Sequence, residues 1–248
     1  MVGYFAMMEP KNLRVGILTT DTPHHTHFVE ALSKNWNIVR VFEEKRTTSA
    51  TFETNHQLEE QGAQYEIDSW FDGKPRGLSD VADVQTFPDL NAPDALEAMR
   101  DAHCDVHLAF GTGRLEQSLI DITPDRIVNL HGADPEHYRG LDTQLWAVYH
   151  RDYRGLITTL HKVSPNLDRG GVIMKMPLPL TRDMQLYQLR KVNTEVCLDI
   201  SHRGLDMMAT YGQFISQPQL YIGRHYSFMP AVLKDRCIKQ FAEFTATL

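Results

Sequence analysis

The chain has 248 residues, 42% hydrophobic and 23% charged, a mix that can bury the core of one large domain or of a domain with an appendage. Its net charge of −7 excludes the broad basic face of a DNA or tRNA binder, so no nucleic-acid partner is expected. Three cysteines without CxxC or metal-ligand spacing give no disulfide framework and point to a reducing cytoplasm, and neither a leader nor a bilayer-spanning run of ~20 apolar residues is read, so no membrane partner is expected.

The elements follow in chain order. "LRVGILTT" (13–20) reads as a buried first strand, "HFVEALSKN" (27–35) as a helix and "WNIVRVFEE" (36–44) as a second strand. Residues 51–67 are polar with weak helical periodicity, and 68–91, with Gly, Pro and Asp, read as including an exposed loop. "APDALEAMRDAH" (92–103) has Pro near its start and helical spacing after it. Strands follow at "CDVHLAFGTG" (104–113) and "RIVNLH" (126–131), then a helix at "LDTQLWAVYHRD" (141–152). "GLITTLHKVS" (155–164) and "GGVIMKMPLPL" (170–180) read as strands around a tight turn, and 182–211 as a long helix. The alternation predicts an α/β fold: a Rossmann-like, mostly parallel sheet flanked by helices, with a smaller C-terminal region. The division expected is a catalytic part over 1–181 and, over 182–248, a helix and tail that pack on the core or form a subunit interface.

Ligands of such sheets bind beyond the carboxyl ends of the strands, where His131 and Gly111 to Gly113 fall. Asn129 and His131 stand two apart at a strand end, so they share a face. Buried polar residues of this kind commonly satisfy loop backbone, and Asp168, before Gly in a strand-flanked turn, reads equally as turn chemistry. Taken together, however, the three suit acyl-group chemistry. An imidazole moves protons near neutral pH, a carboxylate orients it, and an amide stabilises an oxyanion. No serine or cysteine is recognisably paired with them as nucleophile, which favours direct transfer.

Other motifs weigh less. "GTGRLE" begins like a dinucleotide fingerprint, but Glu116 replaces the third glycine and the segment lies too far along the chain. "HHTH" (24–27) offers imidazoles without an accompanying carboxylate or cysteine pattern, so a solvated helix start or a substrate-contacting loop is preferred to a metal site, and no metal is expected. His161 reads either as a core residue or as a cleft residue, and "YIGRHYSFMP" (221–230) as packing or as part of an acceptor pocket.

"NLH" (129–131), "YRG" (138–140), "LWAVYH" (145–150), "TLH" (159–161) and "LDRGGVI" (167–173) resemble the folate-dependent formyltransferase family. The nine residues from His131 to Gly140 and the seven from His161 to Asp168 match its spacings. The likeness covers roughly residues 100–180, and "HGADPE" departs from the family's loop after the histidine. The resemblance implies 10-formyltetrahydrofolate as co-substrate and an amine as acceptor. By matching position, His131 would handle the proton, Asn129 the oxyanion, and Asp168 would assist proton transfer. Gly113, Arg114 and Leu115 would cradle the pteridine, with Ser164, Leu167 and Asp168 opposite, while Tyr138, Arg139, Gly140 and His161 would meet the substrate.

Among the relatives, the "HGADPEHYRGLDTQLWAVYH" stretch is most similar to sugar N-formyltransferases of the GDP-perosamine type, which serve O-antigen and lipopolysaccharide synthesis. The partner implied is a nucleotide-linked amino sugar. The methionyl-tRNA enzyme is expected to be longer, the glycinamide ribonucleotide enzyme to carry a Gly/Ser-rich loop where "TTDTPHHTH" stands, and the formyltetrahydrofolate hydrolase to carry a preceding domain. Another amine acceptor, such as hydroxyornithine, and the hydrolase remain alternatives. Arg139, Lys162, Arg169 and Arg224 are candidate partners of the acceptor's diphosphate, and the 182–211 helix or the tail leaves a homodimer open.

Overall fold

The computed structural model describes residues 12–45 and 49–248, so the expectation that the chain's first residues carry no leader falls largely outside it. Nine strands and seven α-helices are described: β1 (Arg14–Thr19), α1 (Pro23–Ser33), β2 (Asn37–Glu44), α2 (Gln57–Phe71), β3 (Val84–Phe87), α3 (Pro93–Asp101), β4 (Val106–Phe110), α4 (Gln117–Ile120), β5 (Ile127–His131), β6 (Tyr138–Gly140), α5 (Thr143–Tyr149), β7 (Ile157–Lys162), β8 (Val172–Pro177), α6 (Leu189–Tyr211), β9 (Arg224–Tyr226) and α7 (Ala231–Thr245). Seven strands form one sheet in the order β3-β2-β1-β4-β5-β7-β8. Strands β3 to β5 run parallel to β1, while β7 and β8 add an antiparallel margin. The Rossmann-like, mostly parallel sheet flanked by helices is thus present, with its change of direction at β5.

Helices on both faces explain why β1 and β4 are buried nearly throughout. Side chains alternate between the faces. Val15, Ile17, Val128 and Leu130 join α1 and α6 in one core, with Leu32, Cys197, Ile200 and Leu205. Leu18, Phe42, Ala109 and Ile127 join α3 and α4 in another, with Leu96, Met99 and Leu119. A third cluster ties α5 and α7 to the start of α6 through Ala147, Val148, Val196, Cys237 and Phe241. α6 therefore packs directly on the sheet.

Several boundaries differ from the sequence reading. The first helix starts at Pro23, with no side-chain cap, so the histidines of "HHTH" are helical. The weak 51–67 periodicity becomes α2, which runs on to Phe71 and stops where Asp72 and Gly73 take left-handed φ of 51° and 75°. β3 was hidden in the expected loop because its four residues are only partly buried at the sheet edge. α7 and the β6–β9 pairing were not legible: "YRG" and "RHY" are three-residue strands that depend on each other across more than eighty residues.

Candidate active site

β5 carries Asn129 and His131 on the same side as Ile127. Past Ile127 the covering helices end and a cleft opens. In the antiparallel register with β7, Asn129 lies opposite His161 and His131 opposite Thr159. Asn129 Nδ2 is 3.1 Å from His161 Nε2, and His161 Nδ1 is 2.8 Å from the Lys162 carbonyl. A carbonyl only accepts, so Nδ1 carries the His161 proton and Nε2 accepts from the Asn129 amide. Likewise His131 Nε2 donates to the Tyr138 carbonyl at 2.8 Å, leaving Nδ1 as its other nitrogen.

Asp168 arrives from the β7–β8 turn in a left-handed conformation, φ 53°. Its Oδ2 accepts from the Gly140 amide at 2.9 Å. Its Oδ1 lies 3.7 Å from His131 Nδ1 and 3.8 Å from His161 Nε2, so one carboxylate faces both imidazoles at Coulombic range, beyond direct hydrogen bonding. His131 and Asp168 are 6% and 8% exposed, so their charges are only weakly screened by bulk solvent. Burial lowers the His161 pKa to about 4, and the neighbouring His131 adds to the shift, so His161 is neutral at physiological pH and acts as a fixed acceptor for Asn129.

Asn129, His131, His161 and Asp168 line one cavity of about 390 Å³. Its opposite walls are Gly113, Arg114 and Leu115 after β4, and Ser164 and Leu167 before Asp168. Arg114 Nε ties the two loops by donating to the Pro165 carbonyl, while the Gly113 amide anchors its loop to the buried Glu44 carboxylate at the end of β2 at 2.6 Å. Every residue expected to hold the co-substrate thus faces the cavity. Of those expected at the substrate, Gly140 and His161 face it and Tyr138 and Arg139 do not. The Tyr138 ring stacks on Tyr226 and its hydroxyl donates to Asp152; its carbonyl is what reaches the site, by holding His131. Arg139 donates to the Leu167 carbonyl.

The sequence reading missed Asp142 and Thr143 as cavity walls; His24 and His25, from the segment read as a solvated helix start or a substrate-contacting loop, line the cavity as well. Gly111, at φ 78°, lets β4 end against His25; a Cβ there would overlap the ring. Burial first, with Arg190 and, for His25, the neighbouring His24 contributing, holds both histidines well below the usual imidazole pKa. His27 points elsewhere, stacking on Trp70 at 4.1 Å, so His24 and His27 do not converge.

A second cavity of about 280 Å³ adjoins the first, sharing His24, Phe110, Gly132, Asp142 and Thr143. Its far wall is α2 and α6, with Glu59, Arg190 and Asn193, and Gln144 of α5 lines it as well. Arg190 is held bidentate by the buried Glu66 at 2.6 and 3.0 Å. Burial first, with Glu59 nearby, raises the Asp142 pKa above the ordinary carboxylate value, against the Met229 amide and Lys234, which lower it. None of the four basic residues singled out for a diphosphate lines either cavity; Arg114 and Arg190 do.

No family model matches the chain. Among curated proteins it is similar to methionyl-tRNA formyltransferases from Trichlorobacter lovleyi, 23% identical over 137 residues covering 55% of this chain and 43% of that protein, and from Thermosynechococcus vestitus, 29% identical over 128 residues covering 51% and 38%. The matches thus span less than half the length of those relatives. Among solved structures it is similar to a 4-N formyltransferase from Francisella tularensis, with a TM-score of 0.58, 12% identity and coverage of 86% of this chain and 76% of that one. It is also similar to a formyltransferase from Anoxybacillus kamchatkensis, solved with UDP-4,6-dideoxy-4-formamido-L-AltNAc and tetrahydrofolate, at TM-score 0.51, 14% identity and coverage of 90% and 87%. This is the formyltransferase fold. The resemblance read from residues 129–173 is to the family that these relatives and neighbours represent. In its terms, the cavity at the end of β5 is the candidate formyl-transfer site, and no helix among the described residues is long and apolar enough to cross a membrane.

Proposed function

We propose that the protein is an N-formyltransferase that moves a formyl group from 10-formyltetrahydrofolate to the amine of a nucleotide-linked amino sugar in the cytoplasm. The observation that carries the reading is the convergence of Asn129, His131 and Asp168, from two separate segments, on one cavity walled by the 113–115 and 164–168 loops. The donor's pteridine fits between those loops, whose backbone groups suit a flat, hydrogen-bonding heterocycle. The acceptor's sugar fits the second cavity, where Asp142, Gln144 and Asn193 offer partners for hydroxyls and the amine.

The chemistry follows from the tautomers. The amine attacks the formyl carbon and the carbonyl oxygen becomes an oxyanion. Asn129 Nδ2 spends one N–H on His161 and has a second for that oxygen. His131 exchanges protons through Nδ1, because its Nε2 is committed to Tyr138. Asp168, facing Nδ1, stabilises the imidazolium as the proton leaves the amine and passes to the folate nitrogen. The C–N bond to folate then breaks and tetrahydrofolate leaves. Contacts at 3.7 Å of this kind tighten once reactants fill a site.

The catalytic set lies within residues 1–181, and 182–248 supplies cavity walls and bracing. The likeness of the 131–150 stretch to the GDP-perosamine type makes GDP-perosamine the first acceptor to test, with O-antigen synthesis as the setting. The decisive experiment incubates the protein with 10-formyltetrahydrofolate and a panel of nucleotide amino sugars, with hydroxyornithine and initiator methionyl-tRNA alongside. Gain of one formyl group on a nucleotide sugar supports the reading. Gain only on another amine, or formate release independent of any amine, overturns it.

A further inference from the structure

Asp168 sits at φ 53°, in the left-handed region that aspartate tolerates in turns, and its carboxylate keeps its place only if that turn is held still. Gln219 holds it from the far end of the chain. Its Nε2 donates to the Asp168 carbonyl at 2.8 Å and to the Gly170 carbonyl at 2.9 Å, using both hydrogens of the amide on the two carbonyls that flank Arg169. A flipped amide would set its oxygen against two acceptors, so the orientation is forced. The segment around Gln219 is itself anchored on both sides. Gln217 and Val172 exchange backbone hydrogen bonds of 2.8 Å in each direction. The Leu220 amide donates to Glu136 Oε1 at 2.6 Å, and Glu136 Oε2 is held by Lys175 at 2.6 Å.

The brace reaches both proton-handling groups. Further along, β9 pairs with β6, whose Tyr138 carbonyl holds His131 and whose Gly140 amide holds Asp168 Oδ2. We infer that Gln219 is a positioning residue: it fixes the Asp168 turn so that the carboxylate stays between the Gly140 amide and His131 Nδ1. This rests on the transferase reading for its catalytic consequence, but not for its geometry. An ångström of displacement at a reacting centre costs on the order of 10² in rate, so the brace is felt more strongly in kcat than in donor binding.

The test compares Gln219→Glu, an isostere that loses the donor when ionised, with Gln219→Lys, which keeps one. Gln219→Glu should lower kcat roughly 10- to 100-fold at neutral pH, a larger effect than on donor KM, although the same turn walls the donor pocket. Its deficit should shrink toward acid pH, as the carboxyl regains a proton to donate. Gln219→Lys should recover most of kcat. Independently of activity, hydrogen exchange at the Gly140 amide should accelerate in Gln219→Glu, because its acceptor is released. Unchanged kcat at every pH overturns the inference even if exchange accelerates, and unchanged exchange overturns it even if kcat falls. If the wild-type protein formylates no amine, the functional reading fails, while the exchange measurement still decides whether Gln219 holds Asp168.

Discussion

Asn129 and His161 face each other across the antiparallel β5–β7 pair, amide nitrogen to imidazole nitrogen at 3.1 Å. The histidine is the quieter partner, yet it decides which way the amide points. With its proton committed to the Lys162 carbonyl, it can only accept, so the Asn129 NH₂ is turned inward and its free N–H is presented to the cleft. This arrangement is testable by nitrogen-detected NMR of histidine-labelled protein at neutral pH. His161 should carry its proton on Nδ1, and Nε2 of His131 should be protonated; the opposite tautomer at His161 would reverse the amide and remove the oxyanion donor.

Replacing the reacting groups should separate their roles. His131→Ala should lower kcat by ~10²–10⁴ and Asn129→Ala by ~10²–10³, with thermal unfolding close to wild type. Steady-state formylation of the identified acceptor measures both. Near-wild-type rates in either variant would remove that side chain from the mechanism.

Asp142 joins the two cavities and holds the Met229 amide at 2.7 Å through Oδ2. Asp142→Asn keeps an acceptor for that amide but removes the charge. Acceptor KM should rise roughly tenfold, the loss expected of one charged hydrogen bond, while donor KM stays put. Equal changes in both KM values would place Asp142 away from the acceptor.

Acid should destabilise the protein through its buried imidazoles. Burial lowers the His107 pKa from 6.5 to about 4, so the folded state takes up the proton less readily than the unfolded chain. The contribution is complete above pH 6.5 and is lost as pH falls through that value toward 4, amounting to roughly 3 kcal/mol by linkage. Urea unfolding at pH 7, 5.5 and 4 measures it. His107→Gln should flatten the slope, and an unchanged slope would assign the acid sensitivity to other groups.

Gly140 has φ 90°, and a Cβ there would overlap the Tyr226 carbonyl. Gly140→Ala should therefore strain β6, at about 1–3 kcal/mol for the backbone alone, and push β9 away. Because the same residue's amide holds Asp168, kcat should fall along with Tm. A fully active variant of unchanged Tm would contradict the close packing of the two short strands.

Much of this was legible in sequence because it is local. Continuous apolar runs mark the buried parallel strands, since helices on both faces leave no side of β1 or β4 wet, and the period of two puts Asn129 and His131 on one face whatever follows. Spacing between motifs carried the likeness to the formyltransferases. What stayed hidden depends on contacts between distant segments. β3 is half-exposed at an edge, β6 and β9 exist only as a pair, the His25 ring seats against the end of β4 because Gly111 leaves room for it, and Tyr138 contributes a carbonyl instead of its ring. The sequence by itself determined which polar groups sit at strand ends. Only the tertiary structure decided which of them meet, because the hydrogen bonds that set their tautomers and hold the Asp168 turn come from backbone and side chains far along the chain, Gln219 among them.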